Sequence, residues 1–532
     1  MRARAIRRGV EPRSDAAGTA VGRSSTAALV FLRGRDADGR LRDLVAERAQ
    51  ARPVLGALAA ALLSGRGFEP LGFRCLGDWS RERLGVGARA VREWVRVWRA
   101  LEELPLLRGA VLSGEVSWTV ARLIVGVVSP ENEAACLETV RGRTVRAVEA
   151  LLRAVAPADE SPTEGPGEDR VAVRVACSPR VATKWAAALE LARRMAGENL
   201  SAAECAEAIV AECASAAGGA EALDSMQRRS SLATRRPEEE SESGLRAEVW
   251  PRLRWNARPS RRSDRLEHLT CGLQDCSSRK LDRRLRAAMA FLQQVDFEIG
   301  RILRQVVERK LYRELGFESF ERYVQERLDL SPRTARRLVR LARAGHGAPA
   351  LASAFREGRI TLLQAEVLLR GESVEAREKL ELALRVTLRR LEDEVLPRRV
   401  AFWAPPEVAA LFEALVACLG FETMLDHAIA TWLEAGAQFD DYADFTRDGF
   451  RCTVPACTAR RNLQSHHIWF RSACGPDVAW NRTTLCAVHH HRGVHAGSLA
   501  LRGRAPDGLT YELGVGRFRS GDVRLEVGNG SL

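Results

Sequence analysis

Histidine is concentrated in one short stretch near the end of this 532-residue chain. Six of the nine histidines lie between positions 466 and 495. Cys474 and Cys486 lie inside this stretch, and Cys452 and Cys457 lie just before it. Imidazole and thiolate groups are ligands of zinc and other transition metals, and imidazole also transfers protons near neutral pH. The clustering predicts that the chemistry of the protein takes place here.

The cysteines predict a structural zinc site. Tetrahedral zinc takes four thiolate or imidazole ligands, which arrive as two close pairs from two chain segments. Cys452 and Cys457 form one pair, and Cys486 and His489 form the other. Cys474 is then a spare thiol. The predicted Cys3His site would stabilise a small domain that has few large apolar residues.

The other histidines offer a second kind of site. His466 and His467 are adjacent, and successive side chains of a strand point to opposite faces, so one can bind a metal while the other points to a substrate. The residues after Leu485 predict a short helix, in which positions four apart share a face. His491 and His495 have that spacing, whereas His490 and His495 are five apart.

The stretch 438–500 resembles the HNH endonuclease superfamily. The shared features, in order, are paired cysteines, His-His-Ile at 466–468, an asparagine (Asn481) before Leu-Cys, and a histidine-rich helix. The resemblance implies a ββα-metal fold and the hydrolysis of phosphodiester bonds in DNA. It also implies one divalent ion at the catalytic site, of magnesium, manganese, nickel or zinc, beside the structural zinc.

Roles follow from the resemblance by matched position. His467 is implied to be the general base that takes a proton from the attacking water, and His466 a metal ligand. Asn481 is implied either to bind the ion or to orient His467. His490 and His495 match the last pair of ligands.

Some assignments stay open at this stage. His491 is an alternative to His490, because the usual His-x3-His spacing of the superfamily favours it. His489 stands where a second cysteine is usual, which leaves the zinc ligands uncertain. Arg471 and Arg492 are candidate phosphate contacts, with plain solvent exposure as the alternative.

The elements before this stretch predict a mainly helical protein with an internal repeat. Residues 72–152 align without a gap on residues 316–396, at a constant shift of 244. Arg83 meets Arg327, and Gly114 meets Gly358, for example. A weaker echo relates the residues near Pro179 to those near Pro406. The two copies predict paired helical lobes, and they also look like a bacterial domain of unknown function that is often found ahead of HNH modules.

Each copy contains a candidate helix-turn-helix. In the second copy a helix over 319–328 is expected, followed by a turn and a helix that starts at Ser331 and Pro332. Four arginines follow on that helix, namely Arg333, Arg336, Arg337 and Arg340. Such a helix can enter a major groove, although an ordinary helical corner with solvated arginines is the alternative.

Periodicity and composition give the predicted segments. They are a disordered basic tail (1–40), a first helical lobe (41–216), a disordered linker (217–280), a second helical lobe (281–437) and the HNH domain (438–532). Helical pattern is expected from about Val171 onward within the first lobe. Cys271 and Cys276 are expected to be incidental thiols.

Charge and hydropathy restrict the class of protein. Hydrophobic residues make up 46% of the chain, which argues against a wholly disordered protein. No apolar run is long enough to cross a bilayer and no signal peptide is evident, so a cytoplasmic protein is expected. The formal charge of +13 suits a polyanionic partner, most simply DNA, although the preference for arginine over lysine fits a GC-rich genome.

Two other functions stay open on sequence grounds. One is a non-catalytic DNA-binding or regulatory protein whose HNH fold is only a zinc scaffold. The other is an RNase-type toxin or defence effector, because the fold does not decide the sugar. The helical lobes would place the nuclease on DNA or bind a protein partner.

Overall fold

The computed structural model describes residues 33–155, 170–216, 266, 268–370 and 376–525. The predicted tail up to residue 32 and most of the predicted linker lie outside the described residues. Across the described residues the chain is mainly helical, with a small α+β region near its C-terminal end, as the sequence predicts. None of the helices described is by itself long and apolar enough to cross a membrane.

The first copy of the repeat begins with a long helix. Its helices are α1 (Gly34–Ser64), α2 (Leu76–Trp79), α3 (Ala88–Glu103), α4 (Pro105–Leu112), α5 (Trp118–Ile124), α6 (Glu133–Val140) and α7 (Val145–Val155), with a π-helix at Ser80–Leu84. A strand and two helices follow: β1 (Val171–Cys177), α8 (Pro179–Ala196) and α9 (Ala202–Ala216).

The second copy has the same order of elements, with an additional short helix at Leu311–Glu314 and an additional π-helix at its end. Its helices are α10 (Ser278–Glu308), α11 (Leu311–Glu314), α12 (Phe320–Arg322), α13 (Pro332–Gly347), α14 (Pro349–Arg356), α15 (Leu362–Arg370), α16 (Ala376–Arg385) and α17 (Leu388–Val395), with a π-helix at Tyr323–Arg327. Then come β2 (Arg398–Ala404), α18 (Pro406–Leu419), α19 (Phe421–Trp432) and a π-helix at Leu433–Ala437.

The structural repeat is longer than the one read from the sequence. The bounds of α1, α3 and α4 coincide with those of α10, α13 and α14 at the same shift of 244. The repeat therefore starts at Gly34 rather than at Gly72, and residues 34–40 of the predicted tail are helical. The remaining predicted domain boundaries stay predictions.

The two copies exchange the first halves of their long helices. Ala37, Leu41 and Val45 of α1 lie in a core formed by α10 and the helices of the second copy. Conversely, Leu281 and Leu285 of α10 lie in the core of the first copy. Each copy is completed by the other, so the two copies form one intertwined body.

A matched pair of buried ion pairs fixes this exchange. Asp282 of α10 accepts bonds from Arg83 (2.6 Å) and from the Trp79 indole (3.0 Å) of the first copy. Asp38 of α1 accepts bonds from Arg327 (2.7 Å) and from the Tyr323 hydroxyl (3.3 Å) of the second copy. All three positions correspond at a shift of 244. Buried carboxylates need such partners, so these pairs select this arrangement of the helices.

The segment after residue 170 corrects the helical prediction made for it. Residues 171–177 form strand β1, which pairs antiparallel with β2 of the second copy, Val173 lying opposite Phe402. Branched valines at alternate positions suit a strand, and a partner 229 residues away is beyond the reach of local pattern. Helices α8, α9, α18 and α19 share one core beneath this sheet.

The predicted helix-turn-helix is present as a helical corner. Ser331 caps α13 by accepting a hydrogen bond from Thr334 N (3.2 Å). The first helix is not regular, because α12 continues as a π-helix. Arg336 is paired with Glu321, and Arg337 with Glu366. A role of this corner in DNA binding stays a prediction.

The C-terminal module comprises residues 438–525. It contains α20 (Tyr442–Arg447), the hairpin β3 (Leu463–His467) and β4 (Arg482–Cys486), and a π-helix at Val488–His495. A four-stranded antiparallel sheet follows, made of β5 (Leu499–Arg504), β6 (Gly508–Leu513), β7 (Gly516–Arg519) and β8 (Val523–Arg524). Short 3-10 helices at Arg471–Ala473 and Ala479–Asn481 lie in the loop between β3 and β4.

The exchange predicts a large stability cost for Asp282→Ala. This change leaves Arg83 buried without its carboxylate, so we expect the free energy of unfolding to fall by about 3–5 kcal/mol in chemical denaturation. Glu115→Ala, which breaks an exposed pair with Arg141, is the control and should cost less than about 1 kcal/mol. Equal losses in the two variants would contradict the role assigned to Asp282.

Candidate metal centres and active site

The predicted zinc ligands meet in one buried cluster. One donor atom from each of Cys452, Cys457, Cys486 and His489 lies within 4.8 Å of every other. His489 Nδ1 is 3.4 Å from Cys452 Sγ and 3.5 Å from Cys486 Sγ. Hydrogen bonds among the cysteines raise the pKa of Cys457 and lower the pKa of Cys486, so the cluster shares its protons. Three thiols and an imidazole at this spacing fit a tetrahedral zinc ion.

Backbone turns and outer partners hold these ligands. Cys452 N donates to Ala459 O (3.0 Å), which closes the turn that carries both Cys452 and Cys457. Arg389 of α17 donates to the carbonyl oxygens of Cys452 (3.0 Å) and Cys457 (2.6 Å). Such outer contacts orient metal ligands and are part of a metal site.

His489 also ties the module to the first copy of the repeat. Its Nε2 lies 3.3 Å from Gly72 O, which fixes the proton on Nε2 and leaves Nδ1 for the metal. Gly72 has a φ of +89°, and a Cβ there would come within 2.8 Å of the Leu513 side chain. Glycine is therefore required for this close approach.

A second cluster consists of His466, His490 and His495. Their donor atoms also lie within 4.8 Å of one another. His466 is 3% exposed, and its Nε2 has no hydrogen-bond partner among the described residues. Its ring centroid is 4.9 Å from that of His490 and 5.8 Å from that of His495. A buried imidazole nitrogen without a partner, facing two more imidazoles, fits a divalent ion.

The π-helix explains which histidine joins this cluster. Its hydrogen bonds link residues five apart instead of four, so His490 and His495 lie on one face. His490 Nε2 is 3.2 Å from His495 Nε2, whereas His491 is exposed and lies outside the cluster. The structure thus brings together the predicted pair His490 and His495.

The local environment keeps these imidazoles ready to bind a metal. His490 Nδ1 bonds to Gln464 Oε1 (2.6 Å), which leaves Nε2 facing the cluster. Burial, followed by the charges of His490 and His495, lowers the pKa of His466 to about 4. Burial likewise lowers the pKa of His490. Neutral imidazoles have the free lone pair that metal binding requires.

His467 lies next to this cluster on the other face of β3. Its Nε2 is 3.0 Å from Oδ1 of Asp477, a contact that lowers the pKa of Asp477. With the proton on Nε2, donated to Asp477, the Nδ1 lone pair is free to accept a proton. Sequence reasoning missed Asp477. The only sequence feature that could have indicated it is the presence of an aspartate ten residues after His467, in the loop between β3 and β4.

Asn481 organises the loop between β3 and β4. Its side-chain oxygen accepts from Trp469 N (2.8 Å), and its amide donates to Trp469 O (3.0 Å) and Pro476 O (2.8 Å). The residue is fully buried, and its amide is used in holding the backbone. Of the two predicted roles this geometry favours orientation over metal binding, because Pro476 precedes Asp477.

The surface around His467 is aromatic and basic. Trp469 is 52% and Phe470 is 40% exposed, although Phe470 also stacks on His495. Arg471 is exposed, as a phosphate contact requires. Arg492, the other candidate, forms a 3.2 Å ion pair with Glu69 of the first copy.

Comparison with known proteins finds one family. Residues 278–490 match the family described as Domain of unknown function (DUF222). The match begins at the first residue of α10 and ends at His490, so it spans the second copy and both hairpin strands of the module. No curated protein and no solved structure matches the chain.

The Cys3His cluster predicts bound zinc. We expect Cys486→Ser to lower the zinc content of the purified protein by about one atom per chain, because a tetrahedral site loses one of its four ligands. Elemental analysis by mass spectrometry measures this. Cys474→Ser is the control, since Cys474 is exposed and outside the cluster. Equal zinc in the Cys486→Ser variant and the wild type would contradict the assignment.

Proposed function

We propose that the protein is a metal-dependent HNH-type endonuclease that hydrolyses phosphodiester bonds in DNA. The observation that carries the proposal is the position of His467. It lies beside a three-histidine cluster, and its proton-accepting nitrogen is left free by the bond to Asp477. A base next to a candidate metal site is what hydrolysis by an activated water requires.

In the proposed mechanism His467 Nδ1 takes a proton from a water molecule that attacks phosphorus. Asp477 stabilises the resulting imidazolium and fixes the ring orientation. Asn481 is a positioning residue, because it holds the loop that carries Asp477. Arg471 would contact a phosphate group next to the bond that is cut.

His466, His490 and His495 would hold the catalytic ion. A divalent ion bound there would supply Lewis-acid stabilisation of the negative charge on the phosphoryl group and the leaving oxygen. Trp469 and Phe470 add exposed aromatic surface beside the site, which suits stacking against nucleobases.

The match to the DUF222 family supports the proposal in a general way. That family is known to precede HNH modules in bacteria, and the matched region here runs into the histidine-rich segment. A zinc scaffold without catalysis accounts for Cys452, Cys457, Cys486 and His489. This alternative assigns no role to the His467–Asp477 pair or to the second cluster, whereas a nuclease uses both, which favours an enzyme.

The assay is plasmid cleavage with Mg²⁺, Mn²⁺ or Ni²⁺. We expect the wild-type protein to cut and His467→Ala to lose at least about a hundredfold in rate, because the general base is removed. His268→Ala, an exposed histidine outside the module, is the matched control and should cut normally.

Other outcomes of this assay favour the other functions. Cleavage that survives in His467→Ala contradicts the assignment of the base. If the wild-type protein shifts DNA in a gel but cuts no substrate, the result favours the non-catalytic regulator. Cleavage of RNA alone, with DNA left intact, is the RNase-type effector.

Asp477→Ala tests the partner of the base. We expect the cleavage rate to fall by about tenfold to a hundredfold, because His467 loses the carboxylate that orients it. Single-turnover kinetics measures the rate, and Asp507→Ala, an exposed aspartate of the hairpin turn between β5 and β6, is the control. An unchanged rate in Asp477→Ala would show that the contact has no catalytic role.

A further inference from the structure

A polar cavity of about 300 Å³ lies where the helical body meets the C-terminal module. The helical side contributes the start of α8, helix α17 and strand β2. The module contributes strand β6, the turn before β8, and the residues Arg447, Asp448, Gly449, Arg451, Thr453 and Arg460. None of the candidate metal ligands lines this cavity, and its size is at the lower end of the range for small-molecule sites.

Arginine dominates the charge of the cavity wall. The lining arginines are Arg389, Arg390, Arg398, Arg447, Arg451 and Arg460, and the lining carboxylates are Asp393, Asp448 and Asp522. Arg390 pairs with Glu394 of its own helix, which lies outside the lining, and it is therefore not counted. Five cationic groups therefore face three anionic ones.

The carboxylates are already used by nearby arginines. Asp522 binds Arg389 at 2.5 Å and 2.6 Å, and Asp448 binds Arg447 at 2.7 Å and 2.8 Å. Asp393 is shared between two arginines. Arg447 is also near the buried Asp444, at 3.4 Å.

Asp393 and Arg460 account for the excess of positive charge. Asp393 accepts from both Arg398 (2.5 Å) and Arg451 (2.7 Å). Arg460 donates to Gly449 O (3.1 Å), and no carboxylate of the described residues lies within ion-pair distance of it. The lining of the cavity therefore has an excess of about two positive charges.

We propose that this cavity binds a small phosphate-type dianion, such as inorganic phosphate or a phosphate monoester, through Arg460, Arg451 and Arg398. Guanidinium groups bind phosphate oxygens in pairs of parallel hydrogen bonds, and a dianion matches the uncompensated charge. The anion would stabilise the joint between helical body and module. The proposal does not depend on nuclease activity.

The test is binding of inorganic phosphate to the full chain. Calorimetry and thermal unfolding are run in a buffer whose ionic strength is held constant with chloride. We expect phosphate to bind to the wild-type protein and to raise its Tm. We expect Arg460→Gln to weaken phosphate binding by about tenfold or more, because one guanidinium group that binds the phosphate is lost. Arg461 is exposed like Arg460 but does not line the cavity, so Arg461→Gln, which removes the same charge, should bind as the wild type does.

A second readout separates a binding role from a structural one. Without phosphate, Arg460→Gln should be at least as stable as the wild type, because a repulsive charge is removed from the cavity. A loss of stability in phosphate-free buffer would instead make Arg460 a structural residue and overturn the proposal.

Three further results would also overturn it. One is a wild-type protein that responds to phosphate no more than to chloride. Another is an Arg461→Gln variant that loses as much affinity as Arg460→Gln. The third is a single-stranded oligonucleotide that stabilises the protein through Arg460 while phosphate does not, which would make the cavity a nucleic-acid contact.

Discussion

The exchange of helix halves between the two copies is the constraint on which the rest of the structure depends. Asp38 and Asp282 each reach into the other copy, where an arginine and an aromatic donor satisfy them. Because each copy is completed by its partner, β1 and β2 come together in one sheet. The same arrangement lets the module that follows the second copy rest on the first copy, where His489 meets Gly72.

The two copies have diverged within this shared frame. Glu93 pairs with Arg122 in the first copy, and the equivalent pair in the second copy has reversed signs, as Arg337 and Glu366. Both pairs keep the contact between equivalent helices, so the exchange of charges preserved packing. The two copies therefore form a pseudo-symmetric pair within one chain, and this pair carries a single C-terminal module.

Much of the candidate site could be predicted from sequence, because metal ligands are rare residue types and their spacing is informative. The Cys3His set follows from clustering and spacing, and His466 follows from the resemblance by matched position. The resemblance matched His490, whereas helical spacing favoured His491, and sequence could not decide between them because the outcome depends on a π-helix that local pattern does not indicate. Asp477 is a common surface residue type, and its pairing with His467 depends on the loop that Asn481 holds. The fold class followed from periodicity, whereas the helix exchange and the β1–β2 pairing are contacts over more than 200 residues, which one sequence does not reveal.

We propose that His466, His490 and His495 hold the ion that assists His467. The most direct measurement is the rate of metal-dependent DNA cleavage by His490→Ala beside His491→Ala, in zinc-loaded protein titrated with Mn²⁺. We expect His490→Ala to lose the metal-dependent rate, whereas His491→Ala, altered at the adjacent exposed histidine, should cut as the wild type does. Loss of cleavage in His491→Ala with a normal rate in His490→Ala would contradict it.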